Sequence, residues 1–498
     1  MDEKDFGAMN EVEFEAMLAS GVGGEAPPEE VVELVSPWHK SVKRVLWGFA
    51  LTMLNIQFLY LQYILPAIGF FMLVLGLRAL RKENGFFSAA YVLAWVRSVY
   101  FFSTVIINAS PMHGDIYESG FMWGLAYLMV VLTLATVFCF ALGFRAVLRK
   151  TGGAEDEKWL WRLAVWYTVF AAAAVISMQS AIIALLLMAC FLFIVFGIAR
   201  VSRKLSWAGY AITPAGVSVS DRRLSACVLG TVALGMALVY VFGAKYPRKW
   251  QAEESGPSAQ AQEIMAELEA LGFPRDILAD LTEEELLACA GAESVYVQSE
   301  AHALGEGRVV TEKYEENGIV HVKKRKEYDV RELLITHIAV NFEGENGRVR
   351  VFHHFRLQAE TGYYGTEMFD IIPLYYGDYV KTGDATGRVL YDDGATYASP
   401  YYSMEETSVP GWFSSEVHIR AAFSLPKDGG NKRGYITYEA AAGNRYITYE
   451  NAYAYYTHRT GKLIYPVIGT KEIPSSFFGQ EGFKKVTDVF GYERPTGE

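Results

Sequence analysis

Between residues 44 and 243 the chain is a succession of apolar runs broken by short polar joints, and beyond about residue 294 the pattern becomes alternation with a period of two. A helix crossing a bilayer needs about 20 mostly apolar residues. Runs of that kind fall at 44–62, 63–80, 86–109, 121–147, 159–179, 180–199 and 224–243, which predicts seven transmembrane helices. The joints "LQYILP" and "SMQSA" are short enough to read as tight hairpins. Three runs end alike: "LGLRALRKENG" begins at Leu75, "LGFRAVLRKTGG" at Leu142 and "FGIARVSRKLSW" at Phe196. Either three helical hairpins repeat, or three helices that return to one side have converged on the same basic stop.

The second pattern is that of strands. In "RVRVFHHFRLQ", Val349, Val351, His353, Phe355 and Leu357 share one face, and in "SEVHIRAAFSLP" so do Val417, Ile419, Ala421, Phe423 and Leu425. Turn residues punctuate these runs at Gly344–Gly347, Asp428–Gly430 and Thr460–Gly461, and "YITYEAAAGNRYITYE" reads as a hairpin. Many short strands at such spacing predict an antiparallel sandwich. Ahead of it, Ile264, Met265, Leu268 and Leu271 mark one short helix, and Thr282 with Glu285 forms the capping box of another. The expected domains are a tail at 1–43, a seven-helix membrane domain at 44–243, a linker with two helices at 244–293 and a β-sandwich domain at 294–498.

Charge orients this plan. Sixteen Lys and Arg residues fall in the loops on one side of the apolar runs, while "LQYILP", "NASPMHGDIYESG" and "SMQSA" on the other side have none. Basic loops stay in the cytoplasm, so the expected N-terminus is cytoplasmic and the C-terminal domain extracytoplasmic. Residues 1–35 carry 10 acids and one lysine, which does not suit a cleaved signal peptide. No stretch of clustered bases with aromatics suggests a nucleic-acid partner. Cys139, Cys190 and Cys227 lie in apolar runs, and Cys289 stands alone in the polar half, so no disulfide framework is expected there.

No Asp, Glu or His lies within the seven runs, which argues against a coupled pump or an intramembrane protease. The exception to their apolar character is Arg97 in "YVLAWVRSVYFF", with Asn55, Gln57 and Gln62 as available amide partners. It reads either as an anion or lipid-headgroup site, or as an arginine satisfied by amides inside the bundle. In the acidic tail, Phe6, Met9, Phe14, Met17 and Leu18 are candidate contacts for a cytosolic protein, in competition with a simply solvated tail. From Lys245 onward the chain holds 22 of the 31 tyrosines. Tyr375, Tyr376, Tyr379, Tyr453 and Tyr455 are candidate contacts for an envelope glycan or protein, though tyrosine suits half-buried strands in any case. His353 and His354 face opposite sides of a strand, and no metal-ligand spacing, nucleophile elbow or phosphate loop is present, so neither a metal, a cofactor nor a catalytic residue is expected.

The stretch "PEEVVELVSPWHKSVKRVLWGFALTMLNIQFLYLQYILPAIGFFMLVLGLRALRKEN" resembles an uncharacterised family of multi-pass membrane proteins of Gram-positive bacteria, with an echo in "LGFPRDILADLTEEELLACAGAESV". The resemblance implies a bacterial cell membrane and brings no catalytic residue. In layout alone the chain is also similar to membrane anti-sigma regulators, although its tail lacks the cysteines of the zinc-containing kind. The first functional expectation is therefore an envelope sensor or regulator whose outer domain binds a ligand and whose tail reports to a cytosolic partner. The second is a transport or export accessory in which Arg97 touches an anionic substrate or lipid.

Overall fold

The computed structural model describes residues 38–493 apart from 55, 153, 176–180, 213–218, 254–255, 306–307, 317–318, 328–329, 343–346, 363, 375–378, 411–414, 443–448, 462–463 and 474–481. Phe6, Met9, Phe14, Met17, Leu18, Asn55, Tyr375 and Tyr376, and the side chain of Tyr379, lie outside the described residues. The chain divides into two compact units, one ending at Ile107 and resuming at Asp115–Met236, the other made of Asn108–Gly114 and everything from Ala237.

The first unit is helical: α1 (Trp38–Met53), α2 (Leu61–Leu80), α3 (Gly85–Ile107), the short α4 (His113–Glu118), α5 (Gly120–Lys150), α6 (Lys158–Val175), α7 (Ala181–Trp207) and α8 (Asp221–Gly243), the last running on into the second unit. Among the described residues five helical segments are long and apolar enough to cross a membrane: α2, α3, α5, Leu185–Trp207 of α7, and α8. Their outward sides carry large apolar residues such as Phe121, Leu185, Phe193 and Phe242, as a lipid-facing surface does. The first expected hairpin is displaced. α1 ends at Met53, and "LQYILP" opens α2, because the break falls at 54–60, where Leu59 and Tyr60 take positive φ. An apolar run alone does not disclose such a break, since non-glycine residues seldom enter that region.

The three similar helix ends have a common packing role. A Cβ on Gly76 of α2 would lie 2.7 Å from Val45 of α1, on Gly143 of α5 3.0 Å from Phe87 of α3, and on Gly197 of α7 2.3 Å from Trp159 of α6. In each case the glycine admits the preceding long helix of its own hairpin, as small residues do in membrane bundles. Gly48 and Gly69 bring α1 and α2 closer still. The basic residues beyond these glycines find acids in the same unit: Arg78 pairs with Asp221 at 3.0 Å, Arg145 and Arg149 with Glu157 at 2.6 and 2.8 Å, and Lys204 with Asp156 at 3.2 Å.

The second unit is antiparallel β with three helical turns laid on it. A seven-stranded sheet has the order β1 (Gln251–Ala252), β9 (Thr396–Pro400), β8 (Tyr379–Asp392), β12 (Gly430–Ala442), β6 (Val349–Leu357), β5 (Leu333–Phe342) and β2 (Ala292–His302). A five-stranded sheet has the order β10 (Ser403–Pro410), β11 (Ser415–Phe423), β7 (Glu367–Leu374), β13 (Tyr449–Arg459) and β14 (Phe483–Glu493). β3 (Arg308–Glu316) and β4 (Ile319–Glu327) pair as a separate ribbon. Leu333, Ile335, Val351, Phe355, Ile419, Ala421 and Tyr456 meet between the two sheets. On the other face of the larger sheet, Phe352, Ile338 and Tyr435 are covered by α9 (Ala259–Ala270), α10 (Arg275–Leu278) and α11 (Glu283–Leu287). The alternation predicted for β6 and β11 and the capping box at Thr282 and Glu285 are observed. The hairpin read in "YITYEAAAGNRYITYE" is not: β12 pairs with β6 and β8, whereas β13 pairs with β7 and β14. The two strands stand in opposite sheets and bury Ile436, Tyr438, Ala452, Ala454 and Tyr456 in the same core.

Candidate functional site

Arg97 occupies the thirteenth position of the 23-residue α3, about 15–18 Å along the axis from either helix end. Its residue is only 7% exposed, its guanidinium carbon lies 5.5 Å from the centre of the Phe70 ring, and its Nη1 is buried without a hydrogen bond. Arg97 is among the residues that line a cavity of about 620 Å³ in the helical unit. Gln57 and Gln62 border the same cavity, so three of the four polar positions singled out in the sequence converge on it, and the fourth, Asn55, lies outside the described residues. Among the described residues no amide hydrogen-bonds to Nη1 of Arg97. The Oε1 of Gln62 is itself buried with no hydrogen bond, and Gln57 is exposed on the 54–60 segment. The amide reading of Arg97 extends to Asn55, which lies outside the described residues.

The remaining lining divides into polar and apolar parts: Thr52, Tyr63, Tyr100, Thr104 and Thr133 on one hand, Leu54, Pro66, Phe70, Phe101 and Met129 on the other. Sequence reasoning missed these residues, yet their spacing carries a signal. Arg97, Tyr100, Phe101 and Thr104 stand at i, i+3, i+4 and i+7, one face of α3, and Met129 with Thr133 repeats the step on α5. Pro66, inside α2, has no N–H to return to the carbonyl of Gln62, which leaves that turn of backbone less satisfied than the rest. A buried charge left short of partners is expensive by several kcal/mol, and Arg97 also lines space large enough for a ligand group. The chemistry it offers is a fixed positive charge with up to five donors, bordered by hydroxyls, amides and aromatic rings.

The outer tyrosine candidates fare differently. Tyr453 and Tyr455 lie side by side on the half-exposed face of β13, their ring centres 6.1 Å apart, with Lys485 Nζ 3.9 Å from the Tyr455 ring centre. Ala452, Ala454 and Tyr456 turn the other way into the core. Around Asp280 and Glu285 the β unit answers its buried charges. Asp280 accepts from Arg433 Nε at 2.7 Å and lies 3.0 Å from His354 Nε2, and Arg433 also reaches Asp392 at 2.9 Å. Glu285 receives Tyr435, Thr386 and the backbone of Thr282. Burial pushes the Cys289 thiol up to about 12, so the only cysteine of this unit is chemically quiet.

No family model matches the chain, and no curated protein matches it in sequence. Three solved structures are similar over part of it. AvmM, which catalyses macrocyclization in alchivemycin A biosynthesis, shares 12% identity over 37% of this chain and 97% of its own, with a TM-score of 0.18. A mannan-recognising carbohydrate-binding module, TmCBM27, shares 11% over 30% and 80%, with a TM-score of 0.14. The collagen-binding domain of the Erysipelothrix rhusiopathiae surface protein RspB shares 9% over 40% and 81%, with a TM-score of 0.15. Scores this low carry no argument about function.

Proposed function

We infer that this is a multi-pass protein of the bacterial cell membrane whose helical bundle receives the anionic headgroup of an amphiphile at Arg97, in the role of a transport or export accessory. The observation that carries the reading is Arg97, whose buried Nη1 makes no hydrogen bond, in the lining of a cavity of about 620 Å³ that mixes polar and apolar side chains. A phosphate-bearing lipid offers such a site both an oxyanion for the guanidinium and a hydrocarbon portion for Phe70, Phe101 and Met129. The proposed orientation has seven spans, a cytoplasmic N-terminus and an extracytoplasmic β unit. It is supported by the sixteen basic residues on one side. It is also supported by the loop Asn108–Gly114, read as an outer loop, which belongs to the same unit as the β sheets and bonds to it through Asn108 O and Val467 N at 2.8 Å.

The sensor reading keeps one favourable observation, the paired Tyr453 and Tyr455 rings, which present a surface on which a sugar ring could stack. The tail on which its output depends lies outside the described residues. The deciding experiment purifies the full chain in a mild detergent, supplies phosphatidylglycerol or phosphatidylcholine, and counts retained lipids by native mass spectrometry. Retention of about one phosphatidylglycerol per chain, lost in Arg97→Gln, supports the reading. Displacement of that lipid by inorganic phosphate would shift the reading to a free anion. Equal retention of both lipids by the wild type and by Arg97→Gln would overturn it.

A further inference from the structure

The open edge of the sandwich gathers ligand atoms that the sequence keeps far apart. β2 is the last strand of the larger sheet and β14 the last of the smaller one. Gln298 laces them together, donating from Nε2 to Val489 O at 2.6 Å and accepting from Gly491 N at 3.3 Å. Two and four residues further along the same face of β2 come Glu300 and His302. One donor atom each from Glu300, His302 and Asp488 of β14 lies within 4.8 Å of the others. His302 Nε2 is 3.1 Å from Asp488 Oδ2, and His337 Nε2 of β5 is 3.4 Å from that same oxygen.

Three of these atoms, His302 Nε2, His337 Nε2 and Asp488 Oδ2, are buried and none makes a hydrogen bond. Two carboxylates beside imidazole nitrogens form an arrangement that a divalent cation resolves. Zinc bonds of about 2.0–2.2 Å in a tetrahedron place neighbouring ligand atoms about 3.3–3.5 Å apart, and the separations of 3.1 and 3.4 Å fall close to that edge. The inner histidine is also held from behind. His337 Nδ1 lies 2.6 Å from His353 Nδ1, and His353 Nε2 lies 3.3 Å from the Tyr438 hydroxyl. Such a chain orients a ligating imidazole and fixes which nitrogen carries the proton. Glu300 is exposed and His302 partly so, which gives an ion a way in from solvent.

We propose that Glu300, His302 and Asp488, with His337 Nε2 as a further donor 3.4 Å from Asp488 Oδ2, form a binding site for a divalent transition metal of the zinc class that clips β2 to β14 and closes the edge of the sandwich. The nitrogen donors favour zinc over magnesium or calcium, which take oxygen ligands. The alternative is an ion-free cluster in which a protonated histidine pairs with Asp488.

The test uses the full chain in detergent, stripped with a chelator and titrated with Zn²⁺, with bound metal counted by elemental analysis. The site predicts one zinc per chain and a melting temperature that rises with Zn²⁺ and not with Mg²⁺. Asp488→Asn and His302→Gln are expected to weaken zinc binding by about 100-fold or more, and Glu300→Gln by about tenfold, taking the loss of a ligand to be at least as damaging as the 10–100-fold effect of outer-shell partners. Glu300 is exposed, so its variant keeps the test readable if a buried substitution fails to fold. Co²⁺ in place of Zn²⁺ should give visible ligand-field bands that disappear in His302→Gln. Zinc stoichiometry and affinity unchanged in Glu300→Gln and His302→Gln, or no zinc bound at 100-fold molar excess, would overturn the proposal.

Discussion

Arg97 and Arg433 are both buried guanidinium groups, 7% and 5% exposed, and their surroundings treat them in opposite ways. Arg433 sits in the β unit among Asp280, Asp392 and the carbonyl of Asn431, each within 2.9 Å of a donor nitrogen. Arg97 sits in the helical unit beside an aromatic ring and a cavity, with its Nη1 unanswered. The same side chain is a fastening in one place and an open valence in the other. A charge that the fold has already neutralised says little about ligands, whereas one left unneutralised at a cavity wall asks for a partner of opposite sign.

The largest effect that could break this comparison lies in the fastening. Arg433→Met leaves the buried Asp280 with His354 alone and is expected to destabilise the β unit by about 3–5 kcal/mol, read as faster hydrogen exchange across β6 and β12 in the intact protein. Little or no change would mean that Arg433 is as dispensable as a surface residue. Arg97→Met is expected to act with the opposite sign. Removing an unpaired intramembrane charge relieves about 2.5–3.5 kcal/mol on insertion scales, so thermal unfolding in neutral-lipid micelles should occur at the same or a higher temperature. A marked fall would show that Arg97 is a structural fastening after all.

Two smaller effects sharpen the contrast between the units. Gly69→Leu places a side chain against the backbone of Thr52, 2.8 Å from a new Cβ, and overpacking of that kind costs about 1–3 kcal/mol. Protease sensitivity between α1 and α2 would report it. In the β unit, burial holds the His354 imidazole below the usual histidine range, outweighing Asp280, with Arg356 and Arg433 acting in the same direction as burial. A depressed value means that unfolding takes up a proton below about pH 6.5. The stability from neutral His354 is therefore present above that pH and lost as pH falls, with a limiting slope of about 1.4 kcal/mol per pH unit. Hydrogen exchange of β6 measured from pH 7.5 to 5, corrected for intrinsic rates, should show this slope in the wild type and a flatter one in His354→Gln. Equal slopes would remove His354 from the account.

The sequence discloses the two-part plan because the apolar period changes at a definite place, from long runs to alternation. It also discloses Arg97, since a lone charge in "YVLAWVRSVYFF" has no competitor for attention. The cavity around it was only half legible. The face Arg97, Tyr100, Phe101 and Thr104 follows from helical spacing, but its meeting with Gln62 and Met129 is set by the break at 54–60 and the glycine contacts between helices, which no period announces. The β unit hides its tertiary pairings for the same reason. Alternation tells which residues of β12 and β13 face inward, and it is silent on whether the strands share a sheet. His302, His337 and Asp488 meet only because β2 and β14 end their respective sheets side by side, across 186 positions of sequence between His302 and Asp488.

If Arg97 binds an anion, the thermal stability of the full chain depends on the lipid headgroup supplied. Wild type and Arg97→Met would be compared in micelles doped with phosphatidylglycerol or with phosphatidylcholine of the same acyl chains. Phosphatidylglycerol is expected to raise the wild-type melting temperature in a concentration-dependent way, as a ligand bound only to the folded state must, and to leave Arg97→Met unchanged. An equal response of both proteins to phosphatidylglycerol, or none in either, would contradict it.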